Sequence, residues 1–156
     1  MKRMFVLLAV AALAVTASVT SAQAGTVTNE TVSYAYSGFV PCANGGAGEL
    51  VNGTIEAHNL VTSTVNGNVE SWHFHFQPRG SLVGSVTGDT YRLNGVTQGG
   101  DHDVLKNGDY VLTYVSSYQL IGPGPGNNLR VKETAHLTIH DDVAVVEHDD
   151  FSIDCS

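Results

Sequence analysis

The chain has 156 residues, and its 7 basic and 15 acidic side chains give it a formal net charge of −8 at pH 7. A surface of this sign repels nucleic acid and anionic lipid, so we expect neither as a partner. The length is that of one domain, long enough to bury a core of its own.

The first element is a predicted signal peptide. Lys2 and Arg3 precede an apolar run over residues 5–19, and Ala22 and Ala24 supply the small residues that signal peptidase accepts. The alternative is an N-terminal anchor that is not cleaved. We predict cleavage after Ala24, so that residues 1–24 are removed and residues 25–156 form one domain, secreted to the periplasm or the medium, with no membrane segment after cleavage.

Beyond residue 24 the sequence predicts strands and no helix. Segments rich in Val, Thr, Tyr, Ile and Phe favour strands. They are separated by turn residues, including the Asn-Gly dipeptides that begin at positions 44, 52, 66, 94 and 107. The predicted strands are residues 27–40, 53–65, 69–77, 81–87, 90–97, 109–120, 129–140 and 143–154.

About eight strands with short turns indicate an all-β domain, and we predict a single antiparallel β-barrel, with a β-sandwich as the alternative. Long strands in an open sheet would leave exposed edges, and the sequence offers no helix to cover them. Cys42 and Cys155 favour closure as well, because two cysteines in an exported chain most simply form one disulfide. That bridge would tie the first strand to the last. Free thiols or a metal-binding pair are the alternatives.

Aromatic residues alternate with histidines in the segment "SWHFHFQ". Because strand side chains point to opposite faces in turn, Trp72, Phe74 and Phe76 share one face, which we expect to be buried, and the histidines share the other. His-x-His on a strand can hold zinc or copper, but a tight site needs more ligands than this pair. We predict a polar face, with no metal and no cofactor. The histidines weighed as metal ligands are His73, His75 and, from a second alternating segment, His136.

Tyrosines are the residues most suggestive of a binding site. Three of them fall on one face of the predicted strand 109–120, and two share a face of the first strand. In a barrel lumen they would line an apolar pocket with a few hydroxyls, which suits a small ligand. The alternative is that they fill the core or lie on the outer wall. The predicted ligand-binding residues are Tyr34, Tyr36, Tyr110, Tyr114 and Tyr118.

Catalytic motifs are missing from the sequence. It has no Gly-x-Ser-x-Gly, no His-Glu-x-x-His and no phosphate-binding glycine loop. The acidic turns, among them residues 140–142, match no calcium-binding repeat, and we expect them to be solvated. We therefore predict no catalytic residue.

Several segments resemble a family of small secreted bacterial β-proteins of unknown function. They are "FVPCANGGAGELV", "GSVTGDTYRLNGVTQ", "IGPGPGNNLRVKETAHLTIH" and the final "FSIDCS", which carry a Thr-Gly turn before Tyr-Arg, the GPGPGNN loop, the HxTxH strand and a terminal cysteine. The hairpin at residues 140–143 is shorter than the family pattern. The resemblance implies export, one β domain and pairing of Cys42 with Cys155, and it implies no activity.

These observations favour a secreted protein that binds a small apolar or aromatic molecule, or a surface partner, over an enzyme. The competing hypothesis is an enzyme whose lumenal His, Tyr or Glu acts as general acid or base on a bound substrate. A structural component of the cell envelope or matrix is the third hypothesis.

Overall fold

The computed structural model describes residues 25–104, 108–141 and 143–156, so the predicted signal peptide lies outside the described residues. The described chain folds as one antiparallel sheet in which each strand pairs with the next in sequence. The elements are β1 (Thr26–Val40), a short 3-10 turn (Asn44–Gly46), β2 (Glu49–Asn66), β3 (Val69–Gly84), β4 (Thr90–Val104), β5 (Asp109–Ile121), β6 (Leu129–His140) and β7 (Val143–Cys155).

The all-β, antiparallel prediction is confirmed, whereas hydrogen bonding does not close the sheet into a barrel. Within the described residues, β1 pairs only with β2 and β7 pairs only with β6. The two edge strands, β1 and β7, therefore each keep one edge that is not paired with another strand. No helix in this part of the chain is long and apolar enough to cross a membrane.

Seven strands replace the predicted eight because the predicted strands 69–77 and 81–87 merge into the single strand β3, which ends at Gly84, and residues 85–87 form the following turn. Pro78 pairs with Ala57 of β2, while the ladder to β4 passes from Phe76 directly to Arg79. A proline is tolerated where a ladder is locally interrupted, so Pro78 does not end the strand. β4 likewise continues to Val104, beyond the predicted end of that strand at residue 97.

Asn-Gly dipeptides have two different roles. Gly67 adopts a φ of 62° in the turn between β2 and β3, as a tight hairpin requires. Gly53 and Gly95, in contrast, lie within strands. A Cβ on Gly53 would lie 2.4 Å from the Ser81 carbonyl oxygen, and one on Gly95 would lie 2.7 Å from the Cβ of Tyr118. These glycines are needed for close packing between neighbouring strands, which turn statistics do not reveal.

The core lies at one end of the sheet, where β1, β3, β5 and β7 finish. Its residues come from the six strands β1 to β6 and from the loop that follows β1. Because they nevertheless form one cluster, the sheet must curl around them. The cluster contains Val40, Cys42, Ala43, Val51, Ile55, Leu82, Tyr91, Leu93, Leu120, Leu129 and Val131.

The predicted disulfide between Cys42 and Cys155 is confirmed. The two Cα atoms are 5.6 Å apart, and the bridge joins residues 113 positions apart in sequence. Backbone hydrogen bonds of 3.0 Å between Asn128 and Ser156 fix the chain end beside it. The bridge holds the ends of β1 and β7 together although these strands do not pair, and the end of the curled sheet that contains the core is thereby closed covalently.

Candidate ligand-binding face

The register of the sheet assigns every strand residue to one of two faces, because directly opposed residues in an antiparallel pair project to the same side. Tyr34 opposes Ile55, and the same row continues through Gly80, Leu93 and Leu120. This row contains core residues. The face that carries the core is called the inner face below, and the opposite side is called the outer face.

All of the predicted ligand-binding tyrosines lie on the inner face. Tyr36 and Tyr118 come together across the curl and line a cavity of about 90 Å³ close to the disulfide. Burial raises the pKa of both phenols. Tyr34 lies in a separate hollow. Tyr110 and Tyr114 of β5 lie farther from the core, opposite Ile139 and Ala135.

The larger hollow on the inner face has a volume of about 270 Å³ and combines apolar walls with two polar side chains. Phe76 stacks on Phe74 with a centroid distance of 5.2 Å and an interplanar angle of 16°. A hollow of this kind, lined by an aromatic plane and a few hydrogen-bonding groups, can hold a small ring-shaped molecule. Its lining residues are Tyr34, Ala57, Asn59, Phe76, Pro78 and Thr97.

Beside this hollow, hydrogen-bonded polar side chains from β4, β5 and β6 form a row across the inner face. The hydroxyl of Tyr114 donates a hydrogen bond to the carboxylate of Glu133, and this bond is the main reason that the pKa of Tyr114 rises to about 12. Glu133 opposes Ser116, whose Oγ lies 2.8 Å from Oγ1 of Thr97. The phenol of Tyr114 is thus held in place as a hydrogen-bond donor to Glu133.

The far end of the inner face is only partly covered. Trp72, predicted to be buried, is 40% exposed, and Phe74 and Phe76 are half-buried, because the core does not extend to this end. Trp72 opposes Asp101, whose Oδ2 accepts a hydrogen bond of 3.3 Å from Tyr110. The Oδ1 of Asp101 is buried and has no hydrogen-bond partner among the described residues.

The histidines all lie on the outer face, as the alternation predicted for His73 and His75. Nε2 of His75 lies 2.8 Å from Nε2 of Gln77, and Nδ1 of His136 lies 2.7 Å from Oγ1 of Thr113. β4 and β5 separate His136 from the His73 strand. The structure therefore does not bring these three imidazoles together, and the absence of a metal there stays a prediction.

One group in the described chain does bring three possible metal ligands within 4.8 Å of one another, namely Asp109, His140 and Asp141. Nδ1 of His140 lies 2.7 Å from Asp109, and Nε2 lies 3.4 Å from Asp141. Both ring nitrogens thus face carboxylates at a hairpin where His140 and Asp141 are exposed. The geometry is that of an exposed imidazole hydrogen-bonded to a neighbouring carboxylate, which needs no metal.

Glu49 is the residue that sequence reasoning missed. Glu49 is the first residue of β2 and is only 2% exposed, although its side chain is a carboxylate. The carboxylate accepts hydrogen bonds from the Thr87 hydroxyl at 2.7 Å, the backbone N–H groups of Val86 and Thr87 at 2.9 and 3.0 Å, and the Tyr91 hydroxyl at 3.1 Å. These bonds, led by that of Thr87, lower the pKa of Glu49 to about 2.

The position of Glu49 explains in structural terms two of the segments that carry the family resemblance. It links the "GELV" segment to the "TGDTY" turn between β3 and β4, so both patterns serve one buried hydrogen-bond cluster. The sequence did contain a signal for the inward position of Glu49. It lies two and six positions before the inward residues Val51 and Ile55, and residues an even number of positions apart in a strand share a face. All its neighbours are donors, which indicates a structural role.

Comparison with known proteins yields no match: no family model matches this chain, and neither does any curated protein or solved structure.

Proposed function

We propose that the protein is exported and binds a small apolar or aromatic ligand on the inner face, with the curled sheet acting as a partly closed barrel. The observation that carries this proposal is the distribution of the aromatic residues. Every described Phe, Trp and Tyr except Phe39 lies on the inner face. The core uses only part of this set.

Exposure distinguishes a binding face from a simple core. Tyr91 is fully buried and belongs to the core, whereas Tyr34 is 45% exposed and Trp72 is 40% exposed. Apolar and aromatic surface that is left exposed in this way marks interaction sites. The hollow beside Tyr34 and Phe76 offers the concave shape that a small ring requires.

Binding is favoured over catalysis by the placement of the titratable groups. Histidine is the most frequent general base, and the histidines of this chain lie on the outer face. On the inner face, the hydroxyl of Tyr114 is hydrogen-bonded to Glu133, and the buried carboxylate of Glu49 is occupied by its four hydrogen bonds. Neither group is free to act as a general base on a bound molecule, whereas binding requires no base.

Export is supported by the leader-like start of the sequence, by the disulfide and by the resemblance to small secreted β-proteins. Disulfides persist mainly in proteins that work outside the cytoplasm, where thiols are not kept reduced.

The test is a titration of residues 25–156 with N-phenyl-1-naphthylamine, a neutral aromatic probe. Trp72, the single tryptophan, lies on the inner face and reports binding through its own fluorescence. We expect one site with a Kd of about 10 μM, equivalent to about −7 kcal/mol. Phe76→Ala removes an aromatic wall of the hollow and should weaken binding about tenfold.

Val83→Ala is the matched control, because Val83 is 49% exposed on the outer face. Circular dichroism verifies that both variants are folded. If the probe does not bind, or if both variants bind it as tightly as the parent protein, the proposal is wrong.

A further inference from the structure

Charge is segregated between the two faces of the sheet. Every described basic side chain in a strand lies on the outer face, namely Arg79, Arg92, Arg130 and Lys132. The histidines are on that face too. The inner face carries no described side chain that can become positively charged. Its acidic residues, apart from buried Glu49, are Glu30, Glu70, Asp101, Asp103, Glu133, Glu147 and Asp149.

This segregation matters because the inner face is curled. Carboxylates that line a concave surface with partly apolar walls produce a stronger potential than the same charges on a flat surface in water. Aromatic rings on the same face add a further attraction, since the face of an indole, phenol or phenyl ring is electron-rich and binds cations. Both features select a positively charged ligand.

Asp101 is an acidic residue of this face that lies between two aromatic side chains, Trp72 and Tyr110. Its Oδ2 already accepts a hydrogen bond from Tyr110, whereas its Oδ1 is buried without a partner among the described residues. An ammonium group beside this carboxylate is attracted by its charge and by the electron-rich faces of the neighbouring rings. Trp72 lies directly opposite Asp101, with its ring partly exposed.

We propose that the natural ligand of the inner face is an organic ammonium ion with an aromatic or apolar body. The ammonium group binds at Asp101, between Trp72 and Tyr110, and the body lies on the neighbouring rings of Phe74 and Phe76. This inference rests on the proposed function, because it names the charge class of the ligand for the same inner face and extends the site from Phe76, which lines the hollow, to Asp101. It adds one new requirement, which is discrimination by charge among molecules of equal shape.

The experiment compares three molecules of nearly equal shape by following Trp72 fluorescence. They are phenethylamine, which is a cation at pH 7, 2-phenylethanol, which is neutral, and 3-phenylpropanoate, which is an anion. We expect phenethylamine to bind about tenfold more tightly than 2-phenylethanol, a difference of about 1.4 kcal/mol, and 3-phenylpropanoate to bind most weakly. Raising the salt concentration should weaken binding of the amine alone.

Asp101→Asn keeps the shape of the side chain and removes its charge. We expect it to weaken phenethylamine binding about fivefold and to leave 2-phenylethanol binding unchanged. Asp150→Asn removes the same charge from the outer face and is the matched control, since Asp150 opposes Thr134. It should change neither affinity by more than about twofold.

The outcomes separate this inference from the proposed function. If N-phenyl-1-naphthylamine binds but the parent protein takes 2-phenylethanol as tightly as phenethylamine, the charge inference is overturned and the proposed function stands. If none of the probes binds, both are overturned. The comparison of probes and the salt series use the parent protein, so they decide the matter even if Asp101→Asn fails to fold.

Discussion

Glu49 shows how a single buried charge can organise a turn. The four hydrogen bonds to its carboxylate come from residues 37 to 42 positions away, and they hold the turn between β3 and β4 against the start of β2. A Cβ on Gly84 would lie 2.5 Å from the same carboxylate, so the site requires glycine there. A buried carboxylate of this kind is stable because its desolvation is offset by donors on each oxygen.

The depressed pKa of Glu49 predicts a loss of stability in acid. The folded state keeps the carboxylate ionised down to about pH 2, whereas the group ordinarily takes up a proton near pH 4.5. The stabilisation from Glu49 is thus complete above about pH 4.5 and is lost as the pH falls towards 2. Urea denaturation at a series of pH values should show this decline in the free energy of unfolding.

The matched variant for this test is Glu49→Gln, which keeps the size of the side chain but cannot ionise. It should be less stable than the parent protein at pH 7, and its stability should decline less between pH 4.5 and 2. Parallel pH profiles for the two proteins would contradict the assignment.

At the scale of the element, β3 shows how alternation and burial differ. Alternation decides the face, and it places the aromatic residues inside and His73 and His75 outside, as predicted. Burial varies along the same inner face, from Leu82 at 0% exposure to Trp72 at 40%. The strand is longer than the core that it covers, so one half stabilises the fold and the other half remains available for binding.

Alanine substitutions in β3 test this distinction. Phe74→Ala should lower the free energy of unfolding by about 2 kcal/mol, below the ~3–5 kcal/mol of a fully buried phenylalanine, because the ring is half-buried against Phe76. His73→Ala should cost less than about 0.5 kcal/mol, since His73 is exposed on the outer face. Urea denaturation measures both values, and a larger loss from His73→Ala would mean that the faces are reversed.

At the scale of the whole molecule, the sheet is curled around a core at one end and is held there by the disulfide. Every described residue of β7 is exposed, including Phe151 at 55% and Ile153 at 51%. β7 therefore contributes little burial of its own, and its position depends on pairing with β6 and on the bridge to Cys42.

Reduction of the disulfide should destabilise the protein while preserving its strands. A closed loop of 113 positions corresponds to about 4.7 kcal/mol in the chain-entropy model, and we expect about 2–4 kcal/mol in practice. Thermal unfolding with and without a reductant measures the loss, and far-UV circular dichroism monitors strand content. A Cys42→Ser/Cys155→Ser variant should behave like the reduced protein, and an unchanged midpoint in both would refute this account of β7.

The sequence by itself determined the all-β class, most strand positions, the division of side chains between two faces and the pairing of Cys42 with Cys155. These properties are local or depend on only two residues, since a strand alternates with a period of two and a turn requires particular residues. The shared face of Tyr110, Tyr114 and Tyr118 follows from the same alternation.

Only the tertiary structure decided the number of strands, the extent of the core and the contents of the inner face. Pro78 interrupts one ladder and not the other, and Glu49 finds its donors about forty positions away. Whether an acidic residue lies beside an aromatic ring, as Asp101 lies opposite Trp72, depends on the register between strands. Register is set by pairing and packing across the whole sheet, so no local pattern in the sequence contains it.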